Sequence, residues 1–483
     1  MLYTRFNTRL TTSISIRQLR LKVLVLLMLP LFIGKMQAQA YSKEDSVFIR
    51  GIFNTALTKA ECYENLEYLC KKIGHRLSGS EGAAKAVDYT YSVMQKAGFD
   101  RVFKQDVMVP HWVRGEGKAS VSVDGKKQAV NIKALGGSIS TPKKGIVAEV
   151  FEVQNFDELK TLGKDKIQGK IVFFNRPMDP TNINTFVSYG TCVDQRWQGP
   201  SEAAKYGAVA TIVRSMTMAL DDNPHTGSMR YVDSLPKVPC GAISTLAANN
   251  ISASLKSGKA VKFKMMLSCE TLADAPSYNV VGQLNSTEEL PYYKSRYIIC
   301  GGHLDSWDVG DGAHDDGAGC VQSIEAIRLL KLVGYKPKYN LRAVMFMNEE
   351  NGLRGGTKYA ELAKKNDETH LFALESDEGG FTPRGFHIED NKDSVVAFIQ
   401  KFRPLLEPYG LFNVEKGGGG ADVSRLRDSG TVCANFFPDS QRYFDYHHAD
   451  TDTFDKVNKR ELVLGSASIA ALLYLVDKYY PAK

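Results

Sequence analysis

The stretch GGHLDSWDVGDGAHDDGAG, residues 301 to 319, governs how the rest of this chain is read. It gathers His303, Asp305, Asp308, Asp311, His314, Asp315 and Asp316 into nineteen positions. Five carboxylates and two imidazoles that close repel one another, and burying them uncompensated is costly, so a counter-charge is required. The run ahead of it, RYIICGGH, is an apolar strand ending on His303, and CVQSIEAIRLLKLVG behind it has helical periodicity. The cluster therefore belongs to a strand-to-helix loop, where α/β folds carry their chemistry.

The alternation continues downstream. LRAVMFMN leads into Glu349 and Glu350, HLFALESD into Asp377, and TVCANFF precedes DYHHADTDTF with His448. Helical patterns follow GLRGG, run through SVVAFIQKFRPLLEPYG and fill RELVLGSASIAALLYLVDKYY. This order predicts an α/β sheet flanked by helices. Upstream, CYENLEYLCKKIG and EGAAKAVDYTYSVMQKAG read as two packed helices, the second with Ser80 as N-cap and Gly98 as its terminating glycine. In between, ASVSV, GIVAEVF, KIVFF, AVATIV and VKFKMML are short β-type runs broken by Gly, Pro, Asn and Asp, with one helix-like piece at PSEAAKYG. Three regions separate, residues 41–115, 116–272 and 273–483, the middle one a mostly β module.

Composition narrows the function. At 483 residues, 43% hydrophobic and 24% charged, the chain is long enough for two or three globular domains. Its net charge of +7 comes largely from Arg5, Arg9, Arg17, Arg20, Lys22 and Lys35; without those six, 55 basic residues face 54 acidic ones, a net charge of +1. No basic stripe is left to suggest nucleic acid. Residues 1–40 combine that basic start with the apolar run VLVLLMLPLFIG and the small-x-small ending Ala38-Gln39-Ala40, which reads as a signal peptide. No later stretch is expected to supply the roughly 20 apolar residues of a spanning helix, so an exported protein without a stable membrane anchor, periplasmic or extracellular, is expected. The eight cysteines have no metal-type spacing, and Cys300 and Cys320 read as buried small hydrophobes.

His303, Asp315, Glu349, Glu350, Asp377 and His448 together offer two imidazoles and four carboxylates. Oxygen and nitrogen donors without thiolate suit zinc, with manganese or cobalt as substitutes. The set is too large for one ion and fits two, about 3.5 to 4 Å apart, sharing a carboxylate and a water.

These motifs, with NEENGLRGG, ESDEGG, GGADV, QRYFDYHHADTDTFDKV and the early PHWVRGEG, resemble the co-catalytic zinc aminopeptidase superfamily and, within it, the carboxypeptidase Q branch. The resemblance runs from about Cys62 onward. It implies a mixed sheet flanked by helices and two Zn²⁺ per chain. His303 and Asp377 would hold one ion, Glu350 and His448 the other, with Asp315 bridging. Glu349 would activate the bridging water as general base, and Asp305 would accept the other N–H of His303. It also implies a cis peptide at Asp315-Asp316, a homodimer, and dipeptides or short peptides with a free N-terminus as substrates. DKIQGKIVFFNRP, AAKYGAVATIVRS and VPCGAIS resemble a protease-associated domain, which implies an insert over 116–272 that caps the site and splits the catalytic domain into 41–115 and 273–483.

Each assignment has a plainer competitor. His447 adjoins His448, and the resemblance selects His448, leaving His447 to packing or substrate. His314 suits metal by composition alone, and the resemblance assigns it no such role. Asp308 and Asp311 read as solvated loop acids or turn formers rather than ligands, Asp316 as structural, and Asp422 either as substrate-facing or as loop-shaping. Arg354 reads as satisfying backbone carbonyls. A single-zinc glutaminyl cyclase-like enzyme and a non-catalytic receptor-like module share the fold. Retention of His303 with Asp377 disfavours the first, and retention of Glu349 with the whole donor set disfavours the second.

Overall fold

The strand Arg296–His303 is buried from Tyr297 to its end because it lies between two parallel neighbours, Asn340–Phe346 and Thr369–Glu375. Strands so placed carry apolar side chains on both faces, which is why these three read as continuous hydrophobic runs. Val432–Pro438 extends the parallel core beyond Thr369–Glu375. Antiparallel strands flank it: Glu270–Leu284 and then Arg101–Val113 on one side, Pro383–Glu389 on the other, with Asn413–Lys416 outermost. Side-chain alternation sends successive residues to opposite faces. Ile299 packs with Tyr359 and Ala363 of the helix Arg354–Lys365, whereas the Cys300 thiol meets the Ser323 carbonyl of the helix Ala318–Leu332 at 3.5 Å. Helices thus cover both faces, the α/β architecture expected. The computed structural model describes residues 41–389 and 393–480; the signal-peptide reading of residues 1–40 lies outside them.

A second sheet is built from Gly117 to Leu267. Its order is Lys126–Val130, Gly117–Val123, Val261–Leu267, Ile146–Val153, Ile171–Phe174, Ala210–Arg214, Cys240–Ile243, Ile132–Ala134. Four of these run parallel. Ile171 and Phe173 enter one core and Val172 and Phe174 another, so this sheet too is covered on both faces, with helices at Phe156–Ile167 and Thr245–Lys256. The β-rich reading underrated these helices. The first core also holds Trp307 and Val309 of the motif loop, and the described residues from Val47 onward form one compact unit.

Other expectations meet the structure unevenly. Ser80 caps Glu81–Lys96 by accepting from the Ala83 N–H, and Gly98 follows it at φ +72. CYENLEYLCKKIG is α-helical over Cys62–Tyr68 and then widens into a π-turn over Leu69–Ile73. SVVAFIQKFRPLLEPYG is broken into Ser394–Gln400, Arg403–Leu406 and a 3₁₀ turn, because Pro404 and Pro408 lack the N–H that a continuous helix uses. Contrary to the sequence reading, one helix, Lys459–Tyr479, is 21 residues long and apolar enough to span a membrane; 83% of its apolar window is buried in the protein, packed against Ala318–Leu332. All eight cysteines are buried unpaired thiols, Cys300 and Cys320 among them.

Candidate metal centre

The parallel strands deliver their loops to one end of the sheet. His303 is the last residue of its strand, Glu349 and Glu350 follow Asn340–Phe346, and Asp377 follows Thr369–Glu375. Asp315 lies in the turn before Ala318–Leu332, and its peptide bond to Asp316 is cis, as expected. His448 follows the short helix Tyr443–Tyr446 and is held at φ +61.

The residues singled out in the sequence converge. His303 Nε2 stands 3.1 Å from Asp315 Oδ1 and 3.1 Å from Asp377 Oδ1. His448 Nε2 stands 3.2 Å from Asp315 Oδ2 and 3.2 Å from Glu350 Oε2. Asp315 therefore lies between the two rings. What the rings do on their far sides decides the chemistry. His303 Nδ1 is 2.9 Å from the Asp305 carbonyl, and His448 Nδ1 is 3.3 Å from the Thr226 carbonyl. A carbonyl only accepts, so each Nδ1 carries a proton, and in the neutral ring each Nε2 is left with a lone pair. Arg196 Nη1, 3.4 Å from His448 Nδ1, has the Thr226 carbonyl as an acceptor. Four contacts then set a nitrogen lone pair against a carboxylate oxygen, and buried Asp315 Oδ2 has no hydrogen-bond donor. Cations between these atoms turn every such contact into a bond pair; the donor set fits divalent metal.

The electrostatics agree. Burial raises the carboxyls of Glu350 and Asp377 and pushes Glu349 up to about 8, with neighbouring acids adding to it. Burial alone would lower the His303 imidazole, but Asp377, Asp315 and Asp316 outweigh it and hold it well above its ordinary value. Negative charge is in excess here.

The acceptor on His303 differs from the expected one. The carbonyl of Asp305, not its carboxylate, takes the Nδ1–H; Asp305 Oδ1 is 3.9 Å from Nδ1. That carboxylate instead accepts the N–H groups of Asn348 at 2.6 Å, Glu349 at 3.0 Å and Glu350 at 3.3 Å. It fixes the loop bearing both glutamates. Asp316 is structural, accepting from His303 N and Gly319 N. His447 Nε2 is 3.8 Å from Asp315 Oδ2, and its ring stacks on His448 at 3.5 Å. His314 is buried in a stack with Phe381 and Tyr446. Asp308 is not a solvated acid: Arg114 binds both its oxygens in a largely buried pair. Asp311 is partly buried too, accepting from Lys71 and from Phe454 N. Asp422 shapes a loop, accepting from Gly356 N at 3.0 Å. Arg354 donates to the Met108 carbonyl and pairs with Asp274.

Sequence reasoning missed three supports. Arg76, fully buried, donates to the carbonyls of Leu304, Gly74, Asp311 and Gly312 and so staples the motif loop. Asp452 accepts from His314 N at 2.8 Å and Asp315 N at 3.1 Å, holding the shared carboxylate in place. Arg114 also donates to Thr226 Oγ1. Asp452, in HHADTDT, and Arg114, in PHWVRGEG, stood in quoted motifs, but their partners are backbone groups or lie remote in sequence.

A mixed sheet whose strand ends gather two imidazoles around a shared buried carboxylate defines a metallopeptidase of the zinc-aminopeptidase fold. Residues 279–473 match Peptidase family M28. The chain is 38% identical over 391 residues to carboxypeptidase Q of Xenopus laevis, covering 81% of this chain and 80% of that protein. It is 34% identical over 414 residues to carboxypeptidase Q of Homo sapiens, covering 86% and 84%. A crystal structure of a peptidase M28 precursor from Shewanella amazonensis superposes with a TM-score of 0.85 at 32% identity, over 91% of this chain and 98% of that one. BSAP, a zinc aminopeptidase from Bacillus subtilis, shares the fold with a TM-score of 0.63 at 20% identity, over 87% and 96%. The chain belongs to peptidase family M28, in its carboxypeptidase Q branch.

Proposed function

We propose that this metallopeptidase is an exported di-zinc exopeptidase that hydrolyses dipeptides or short peptides with a free N-terminus. The observation that carries the reading is the placing of His303 Nε2 and His448 Nε2 against opposite oxygens of buried Asp315. His303 and Asp377 would hold one zinc, Glu350 and His448 the second, and Asp315 both. Bound zinc supplies a Lewis acid that polarises a carbonyl and lowers the pKa of water. Glu349 takes the proton of the attacking water and returns it to the leaving amine. Asp305 sets the direction of that carboxylate through the Glu349 N–H. Residues 116–272 form a protease-associated-type cap that limits substrate length, and the protein works as a homodimer in the periplasm or outside the cell.

The test is zinc content per chain, with hydrolysis of an unblocked dipeptide and its N-acetylated twin, for wild type and Glu349→Gln. About two zinc ions, cleavage of the free dipeptide alone and loss of turnover in the variant are expected. Bound metal with an indifferent variant would remove Glu349 from the chemistry, and cleavage of the acetylated twin would remove the free-amine requirement.

A further inference from the structure

The two candidate metal-binding imidazoles are supported from different places. Behind His303 stands a carbonyl two residues on in its own loop. Behind His448 stands a segment of the second sheet, in the loop between Ala210–Arg214 and Cys240–Ile243. Three contacts join that segment to the His447-His448 pair. His225 Nδ1 lies 2.7 Å from the His447 carbonyl, Thr226 N donates to the His448 carbonyl at 2.9 Å, and His448 Nδ1 lies 3.3 Å from the Thr226 carbonyl.

The segment is itself fixed from two directions. Arg196, 5% exposed, donates to the carbonyls of Thr226 at 3.4 Å and Ser228 at 3.2 Å. Thr226 Oγ1 accepts from Arg114 at 2.7 Å and donates to the Ala134 carbonyl at 2.8 Å, while Arg114 is clamped on Asp308 of the motif loop. Gly227 completes the cradle. At φ +133 it adopts a conformation side chains rarely take, and a Cβ there would stand 2.7 Å from His448 Nδ1 and run into the Arg196 guanidinium.

We infer that Arg196, Thr226 and Gly227, in the connections between strands of the second sheet, are positioning residues for the metal centre: they hold His448 in the tautomer and orientation that presents Nε2 to the ion shared with Glu350 and Asp315. The inference rests on the di-zinc reading. The second sheet is then half of the site's scaffold as well as its cover. Partners of this kind behind metal-binding imidazoles change metal affinity by about 10- to 100-fold when removed.

The experiment is zinc release from purified full-length protein against a chromophoric chelator, for wild type, His448→Ala, Gly227→Ala, Arg196→Gln and Arg196→Lys. His448→Ala identifies which zinc belongs to this pole. Gly227→Ala is expected to loosen that zinc about 10- to 100-fold and leave the other as tight as in wild type. Arg196→Gln should loosen it less, and Arg196→Lys should recover part of the loss. On a free dipeptide kcat should fall with KM unchanged; a role confined to limiting substrate size would move KM instead and sink the inference. Circular dichroism melts check folding, and if Gly227→Ala fails to fold the Arg196 pair carries the test. Wild-type zinc affinity at both sites in folded variants would overturn the inference. If His448→Ala itself loosens no zinc, the di-zinc reading fails first and takes the inference with it.

Discussion

The two poles of the proposed metal centre make a natural comparison. At the first, His303 and its acceptor, the Asp305 carbonyl, are neighbours in one loop, and that loop is held by Arg76 and Asp316. At the second, His448 and the Thr226 carbonyl are 222 positions apart and meet only because two sheets pack together. The acceptor behind the first ring comes from its own loop; the acceptor behind the second is brought there by the packing of the two sheets. Asp315 ties them together, and its own N–H is fixed by Asp452.

The most severe way to break the comparison is Asp315→Asn, since it strikes both poles. Loss of zinc from each site and of measurable turnover is expected, by metal analysis and dipeptide assay; retention of one tightly held zinc would show that the poles bind independently. Arg114→Leu attacks the second pole from a distance. It leaves Asp308 without its cation and Thr226 Oγ1 without a donor. Breaking a largely buried pair in this way costs about 3 kcal/mol, readable as a lower urea midpoint, and an unchanged midpoint would mean Asp308 is solvated after all.

Asp305→Ala sharpens the comparison from the other side. It unpairs the three N–H groups of residues 348–350 while sparing the main-chain carbonyl behind His303. About 1 to 3 kcal/mol of stability should be lost, with kcat reduced and the His303 zinc kept. Release of that zinc would mean the carboxylate, rather than the carbonyl, steadies the ring.

The smallest effect is a pH control away from both poles. Burial pushes Glu325 up to about 7 against an ordinary 4.5, despite its pairing with Arg328. The folded state therefore holds this proton more tightly than the unfolded one. The resulting stability is fully present below pH 4.5 and is lost as pH rises through about 7. Glu325→Gln never ionises, so its melting temperature should gain on wild type between about pH 5 and pH 8. A constant difference across that range would place the glutamate in solvent.

How much of this could be read from the sequence follows the same division. The parallel strands and the gathering of His303, Asp305, Asp315, Glu349, Glu350, Asp377 and His448 near their ends were legible, because apolar runs and clustered acids leave a mark in composition. The supports were not. Thr226 supports His448 through its carbonyl, which every residue possesses, and the Arg76 guanidinium binds four carbonyls, so neither role leaves a mark in residue type. The helices of the second sheet hid behind its β-type runs. The helix Lys459–Tyr479 showed its helical pattern but not the extent of its apolar surface; buried within the fold, it is apolar nearly all round.

The hydrogen bonds between residues 225–226 and 447–448 bear on how this protein can be recombined. A chimaera that exchanges residues 117–267 with a relative, to alter which peptides are admitted, cuts across a contact in which backbone meets imidazole. A graft that changes the reach of that loop by one residue moves the Thr226 carbonyl by up to about 3.5 Å, more than the length of the bond it makes. Such an exchange has to carry the segment from Ser440 to His448 along with it, so the smallest transferable module of this enzyme is discontinuous in the gene.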